Sequence, residues 1–142
     1  MNRREWLAQV PWEMVVWQNE QLCQSKNAHH GPTSDGHADC KALWEESRMR
    51  AMSLDEMVDL CRRCHRLAPF TNYNGNTFSA IARALIEVLE LPKETAFLAR
   101  SLAGHIVAGV ASEEEVVAFR KFCESLESCG NHRSRFPERS QS

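Results

Sequence analysis

Ser53-Leu54-Asp55-Glu56-Met57-Val58-Asp59-Leu60-Cys61-Arg62-Arg63-Cys64-His65 reads as a helix from its first residue. Ser53 and Glu56 form a capping box, in which the serine hydroxyl and the Glu56 carboxylate satisfy amides that a helix start leaves without partners. Leu54, Met57, Val58, Cys61 and Cys64 or His65 then recur at the spacing of one helical face. Pro69 ends the helix or follows its end, because proline cannot donate inside one.

The helical pattern continues on both sides. Downstream, Thr71 to Asn76 is a polar turn containing Asn74-Gly75, and Asn76 or Thr77 can cap a helix from Phe78 to Leu91 striped by Ile81, Leu85, Val88 and Leu89. Pro92 marks another start, and Phe97 to Val110 carries Ala99, Ala103, Gly104, Ala108 and Gly109, small enough for a neighbouring helix to approach closely. Ser112-Glu113-Glu114-Glu115 repeats the capping box before Val116, Phe119, Cys123 and Leu126, with Gly130 at the close. Upstream, Cys40 to Met52 offers Leu43 and Trp44 to a core and Glu45, Glu46, Arg48 and Arg50 to water. Glu5 to Cys23 reads as one kinked helix or two short ones, divided at Pro11. Ser25 to Asp39, rich in Gly, Pro, Ser and Asn and holding His29, His30 and His37, is the one long loop. No internal repeat and no useful alternating pattern is present. The fold class is therefore all-α: a compact bundle of about five or six helices over residues 1–130, with 131–142 as a polar C-terminal tail.

Composition narrows the function. The chain has 142 residues and a net charge of −2, from 17 Lys+Arg against 19 Asp+Glu, which excludes a strongly basic nucleic-acid coat. Its apolar runs fall far short of the ~20 residues that cross a membrane. Gln9, Pro11, Glu13 and Gln18 interrupt what would be the apolar part of a signal peptide, so the expected location is cytoplasmic. A reducing compartment turns the six cysteines away from disulfides and toward metal or thiol chemistry.

Cys61-Arg62-Arg63-Cys64 sets two sulfurs on one helical face, at a spacing that suits a single zinc ion. His37-Ala38-Asp39-Cys40 repeats that spacing, so the expected structural zinc site is His37, Cys40, Cys61 and Cys64, pinning the long loop to the helix. Simple burial of the cysteines is the competing reading. Thiol redox chemistry is another: Arg62, Arg63 and Arg66 supply cations, but the pair lies late in its helix, where the dipole opposes a thiolate. Cys-x-x-Cys-His also spells covalent haem attachment, which requires export.

Leu54 to His65 resembles the closing segment of HNH nucleases of the His-Me finger class, often Leu-x-x-Leu-Cys-x-x-Cys-His, with Met57 at the first Leu. His29-His30 resembles the paired residues that open that motif. The resemblance implies a ββα-metal fold cutting nucleic acid. His30 would be the general base, His29 and His65 ligands of a divalent ion such as Mg²⁺, and Cys61 and Cys64 half of a structural zinc site. Pro69 to Thr77 more distantly resembles the Fic-family loop, with Ala68 where that family has its catalytic His and Asn76 where it has Arg. What survives is a turn at Asn74, Gly75, Asn76 and Thr77 whose amides can hold an anion.

Arg48, Arg50, Arg62, Arg63 and Arg66 are interleaved with Asp55, Glu56 and Asp59, which makes a mixed-charge surface rather than a phosphate groove. Trp6, Trp12 and Trp17 crowd the N-terminal segment, the expected contact surface for a protein partner or a second copy. The leading expectation is a zinc-stabilised helical binding or accessory module, and the alternative is an HNH-type nuclease acting on nucleic acid.

Overall fold

The capping box forms as read. Glu56 N donates to Ser53 Oγ at 3.3 Å, and Ser53 N donates to Glu56 Oε1 at 2.9 Å. The computed structural model describes the backbone of residues 3–135 and the side chains of residues 3–128. Among these are six α-helices and no strand: α1 Trp12–Ser25, α2 Gly36–Ser47, α3 Leu54–Leu67, α4 Asn74–Ile86, α5 Lys93–Ala108 and α6 Glu113–Arg135. The all-α expectation holds. No helix among the described residues is long and apolar enough to cross a membrane.

Helix α3 is the hub. Leu54, Met57, Val58, Leu60, Cys61 and Cys64 are all buried, and α2, α4, α5 and α6 pack around it. Beside it Trp44 of α2 is wholly enclosed, edge-on to Trp12 at 6.5 Å and tilted against Phe78 at 6.0 Å. Each buried large apolar side chain of this kind stabilises the fold by roughly 1.5–3 kcal/mol. Trp44 Nε1 donates to Val10 O at 2.8 Å and Trp6 Nε1 to Met52 O at 2.9 Å, so these indoles are buried without stranding their N–H groups. The close approach expected of the small-residue helix also occurs. Gly104 of α5 is buried against Arg83 of α4, and Ser79 Oγ donates to Gly104 O at 3.1 Å.

Several boundaries differ from the sequence reading, each for a tertiary reason. Glu5 to Val10 makes only a turn, and α1 begins after Pro11, its first amide capped at long range by Glu45 Oε2 at 3.0 Å from Trp12 N. Helix α2 starts at Gly36, so the loop covers 26–35 and His37, Ala38 and Asp39 are helical. A Cβ on Gly36 would stand 1.9 Å from Leu67 O, so glycine alone lets this helix end abut the end of α3. Helix α4 begins at Asn74 because Tyr73, at φ 59°, turns the chain and Asn74 brackets Phe70 through both its N–H and its carbonyl. Helix α6 passes Gly130 and continues to Arg135. A lone glycine costs a helix only about 1 kcal/mol. The remainder of the expected tail, from 136 onward, lies outside the described residues.

Backbone and side-chain hydrogen bonds hold the loop that zinc was expected to pin. Thr33 N donates to Pro69 O and Thr71 N to Gly31 O, at 2.9 and 3.0 Å. Thr33 Oγ1 donates to Ala68 O at 2.7 Å, and Asn72 Nδ2 to His29 O at 2.9 Å. A second short bridge joins Arg4 to Met52. Gly36→Ala should therefore cost about 1–3 kcal/mol, the range for overpacking a close-packed site. Gly31→Ala, whose Cβ meets only the exposed His29 ring, is the control. Equal urea midpoints for the two variants would show that the junction of α2 and α3 is not tight.

Candidate functional site

Cys40 of α2 meets Cys61 and Cys64 of α3 in the core, and all three are free thiols with no exposed surface. Cys64 is held protonated, first by a hydrogen bond shared with Cys40 and then by burial. Burial, with Cys40 alongside, pushes Cys61 up to about 12. Met57 Sδ lies 3.9 Å from Cys61 Sγ and accepts from it. Cys61 and Cys64 are thus held protonated within the core, and a protonated, inaccessible thiol is a poor nucleophile.

The structure brings together three of the four expected zinc ligands and leaves His37 elsewhere. Its ring stands edge-on to Trp12 at 5.4 Å and to Phe70 at 5.9 Å. Among the described residues no group of three or more His, Cys, Asp or Glu side chains is disposed to hold a metal ion. Of the expected His37, Cys40, Cys61 and Cys64 set, the sulfurs meet in the core while the His37 ring packs on Trp12 and Phe70.

The three histidines of the nuclease reading sit on separate partners. His29 Nδ1 lies 3.2 Å from Thr71 Oγ1, and His30 Nδ1 2.8 Å from Asn19 Oδ1. His65 Nδ1 lies 2.8 Å from Val107 O; a carbonyl only accepts, so Nδ1 carries the proton. Arg62 Nη1, 3.2 Å from the same Nδ1, is then a neighbour rather than its donor. Between His30 and Cys61 the chain forms α2 and the first part of α3.

The expected anion turn is also internally committed. Asn74 is used on Phe70, Thr77 Oγ1 donates to Tyr73 O at 2.8 Å, and the His65 ring lies over Gly75. Sequence reasoning missed the polar knot behind it. Asn19, fully buried, donates to Asn72 O and Thr77 Oγ1 and accepts from His30 and Cys23, which joins α1, the loop and α4. The signal was a polar residue on the apolar stripe Trp12, Val15 and Cys23.

A groove of about 680 Å³ opens between α3, the end of α5 and the start of α6. Met52, Val58, Leu60, Ile106, Val116 and Phe119 give it apolar walls. Arg3, Arg50, Arg63 and Arg120 rim it together with Asp55, Glu56 and Asp59. Glu56 is already engaged: it accepts from Ser53 N and pairs with Arg3 at 2.9 Å, which holds its carboxyl below the ordinary range. A smaller hollow of about 250 Å³ continues along α6, sharing Asp55 and Arg120 and lined further by Cys123, Glu124 and Glu127. The tryptophan-rich segment contributes less surface than expected: Trp6 and Trp12 are buried, and only Trp17, 56 % exposed, stands out beside Met14.

No family model matches the chain, and no curated protein or solved structure is significantly similar to it.

The thiol cluster sets a pH dependence. Folding keeps the Cys61 proton on, so its contribution is complete below the unfolded thiol value of about 8.5 and is lost as pH rises toward the folded value. The unfolding free energy from urea titrations should fall between about pH 8.5 and 10, by up to about 1.4 kcal/mol per pH unit for each such thiol. Cys61→Ala should flatten that slope. An unchanged slope would contradict protonated burial of this residue.

Proposed function

We propose that this chain is a helical binding module that takes a segment of a protein partner into the groove between α3 and α6. The observation that carries the reading is the groove itself, an apolar trough with a charged rim. Its size falls within the roughly 300–1,000 Å³ typical of binding sites. Apolar floor and polar rim are also the anatomy of a protein interface, in which desolvated anchors supply most of the affinity. The mixed signs on the rim favour a peptide over a phosphate backbone, which would call for uniform positive charge.

Peptides enriched from a displayed random library on the immobilised protein should perturb the backbone amide resonances of residues 52–63 and 106–120. Ile106→Glu, at a half-buried wall position, should weaken them at least about tenfold while the circular dichroism spectrum stays unchanged. Failure to enrich, or peptides that map elsewhere and tolerate Ile106→Glu, would refute the reading.

Zinc has one favouring observation, the convergence of Cys40, Cys61 and Cys64. To bind there it would have to displace the thiol protons and find a fourth donor, with His37 drawn away from Trp12 and Phe70. Read as a protonated cluster, the core should keep its melting temperature in EDTA. A drop in EDTA that Cys64→Ser abolishes would instead establish a structural ion at these sulfurs.

A further inference from the structure

The charges along the groove are not evenly mixed. Helices α3 and α6 line it in opposite directions: Asp59, Leu60 and Arg63 belong to the larger lobe with Val116 and Phe119, and Ser53 and Leu54 to the smaller lobe with Cys123, Glu124 and Glu127. In the larger lobe Glu56 is taken by Arg3 and by the helix cap. Arg50, Arg63 and Arg120 then face Asp55 and Asp59, and none of the five has an ion-pair partner among the described residues. In the smaller lobe the balance reverses, with Asp55, Glu124 and Glu127 against Arg120 alone. Cys123, in that lobe, registers the local field: burial first, then Asp55, Glu127 and Glu124, push its thiol up to about 12.

We infer that the groove is electrically polar along its length and selects one orientation of a peptide, in which carboxylates lie toward Arg63, an apolar stretch covers Ile106, Val116 and Phe119, and a lysine or arginine reaches Glu124 and Glu127. The inference rests on the groove being the binding site and adds the partner's chemistry and direction. Complementary potentials of this kind set orientation and rule out reversed partners more than they raise affinity. A nucleic acid would be repelled by the acidic lobe, and a wholly acidic peptide would leave Glu124 and Glu127 without a counter-charge.

The test uses the most enriched library peptide, fluorescein-labelled, and a synthetic version with its acidic and basic residues exchanged. Anisotropy is read on the full chain and on Arg63→Glu and Glu124→Lys/Glu127→Lys, with Arg63 and Glu124 exposed and Glu127 half-buried. The parent peptide should carry an acidic and a basic end, lose about five- to tenfold on either variant, and lose more at higher salt. The exchanged peptide should bind best to the protein carrying all three reversals. Peptides without charge order, binding through both reversals yet abolished by Ile106→Glu, would overturn the polarity while leaving the groove as the site. Binding that survives Ile106→Glu would remove the groove reading itself. A concentration-dependent dimer in sedimentation that Arg63→Glu dissociates would make a second copy the occupant and overturn the inference.

Discussion

Helix α3 has to bury one face completely while its other face stays in water, and most of the molecule follows from meeting both demands. The buried face needs neighbours on three sides, which α2, α4 and α5 supply. The wet face, with Asp55, Glu56, Asp59 and Arg63, cannot be covered by another apolar helix, so α6 meets α3 only lightly. What lies between them is a trough whose deepest residues belong to the core and whose edges belong to the surface.

The same helix explains why the cysteines are quiet. A Cys-x-x-Cys pair on the outer face would meet water and cations; on the inner face it meets Cys40 and Met57. Desolvation penalises the thiolate, and each thiol is next to another that would have to ionise near it, so neutral packing is the low-energy state. Arg63 does favour the Cys64 thiolate, but as the smallest of the influences on it. The motif's chemistry is decided by which side of α3 it occupies, and spacing alone carries no such information.

That distinction marks what the sequence could tell. Local signals were legible: both capping boxes formed, at Ser53 to Glu56 and at Ser112 to Glu115, since caps involve neighbours in the chain. The all-α class followed from periodicity. What was hidden depended on distant partners. The start of α2 rests on Gly36 against Leu67 O, the start of α1 on Glu45, and the start of α4 on a left-handed Tyr73 fixed by Asn74. His37 shares a helical face with Cys40 yet packs on Trp12 and Phe70, a competition that no motif encodes. The groove was half visible, as the interleaving of Arg63 with Asp55, Glu56 and Asp59, but its floor is assembled from α3, α5 and α6, far apart in the chain.

Rigidity and openness are divided accordingly. On the side of α1, α2 and α4, polar groups are tied inward: Asn19 has both donors and its acceptor oxygen engaged, and the histidines of the loop bond to the protein itself. A side chain so engaged contributes to a unique fold and has little left for a ligand. On the α3 and α6 side Arg63, Arg120, Asp55 and Asp59 of the rim have no ion-pair partner among the described residues, and of the apolar walls beneath them Ile106 and Val116 are only half-buried. An apolar chain laid in such a trough would remove the half-buried Ile106 and Val116 from water. The unengaged charges above would fix the direction in which that chain lies.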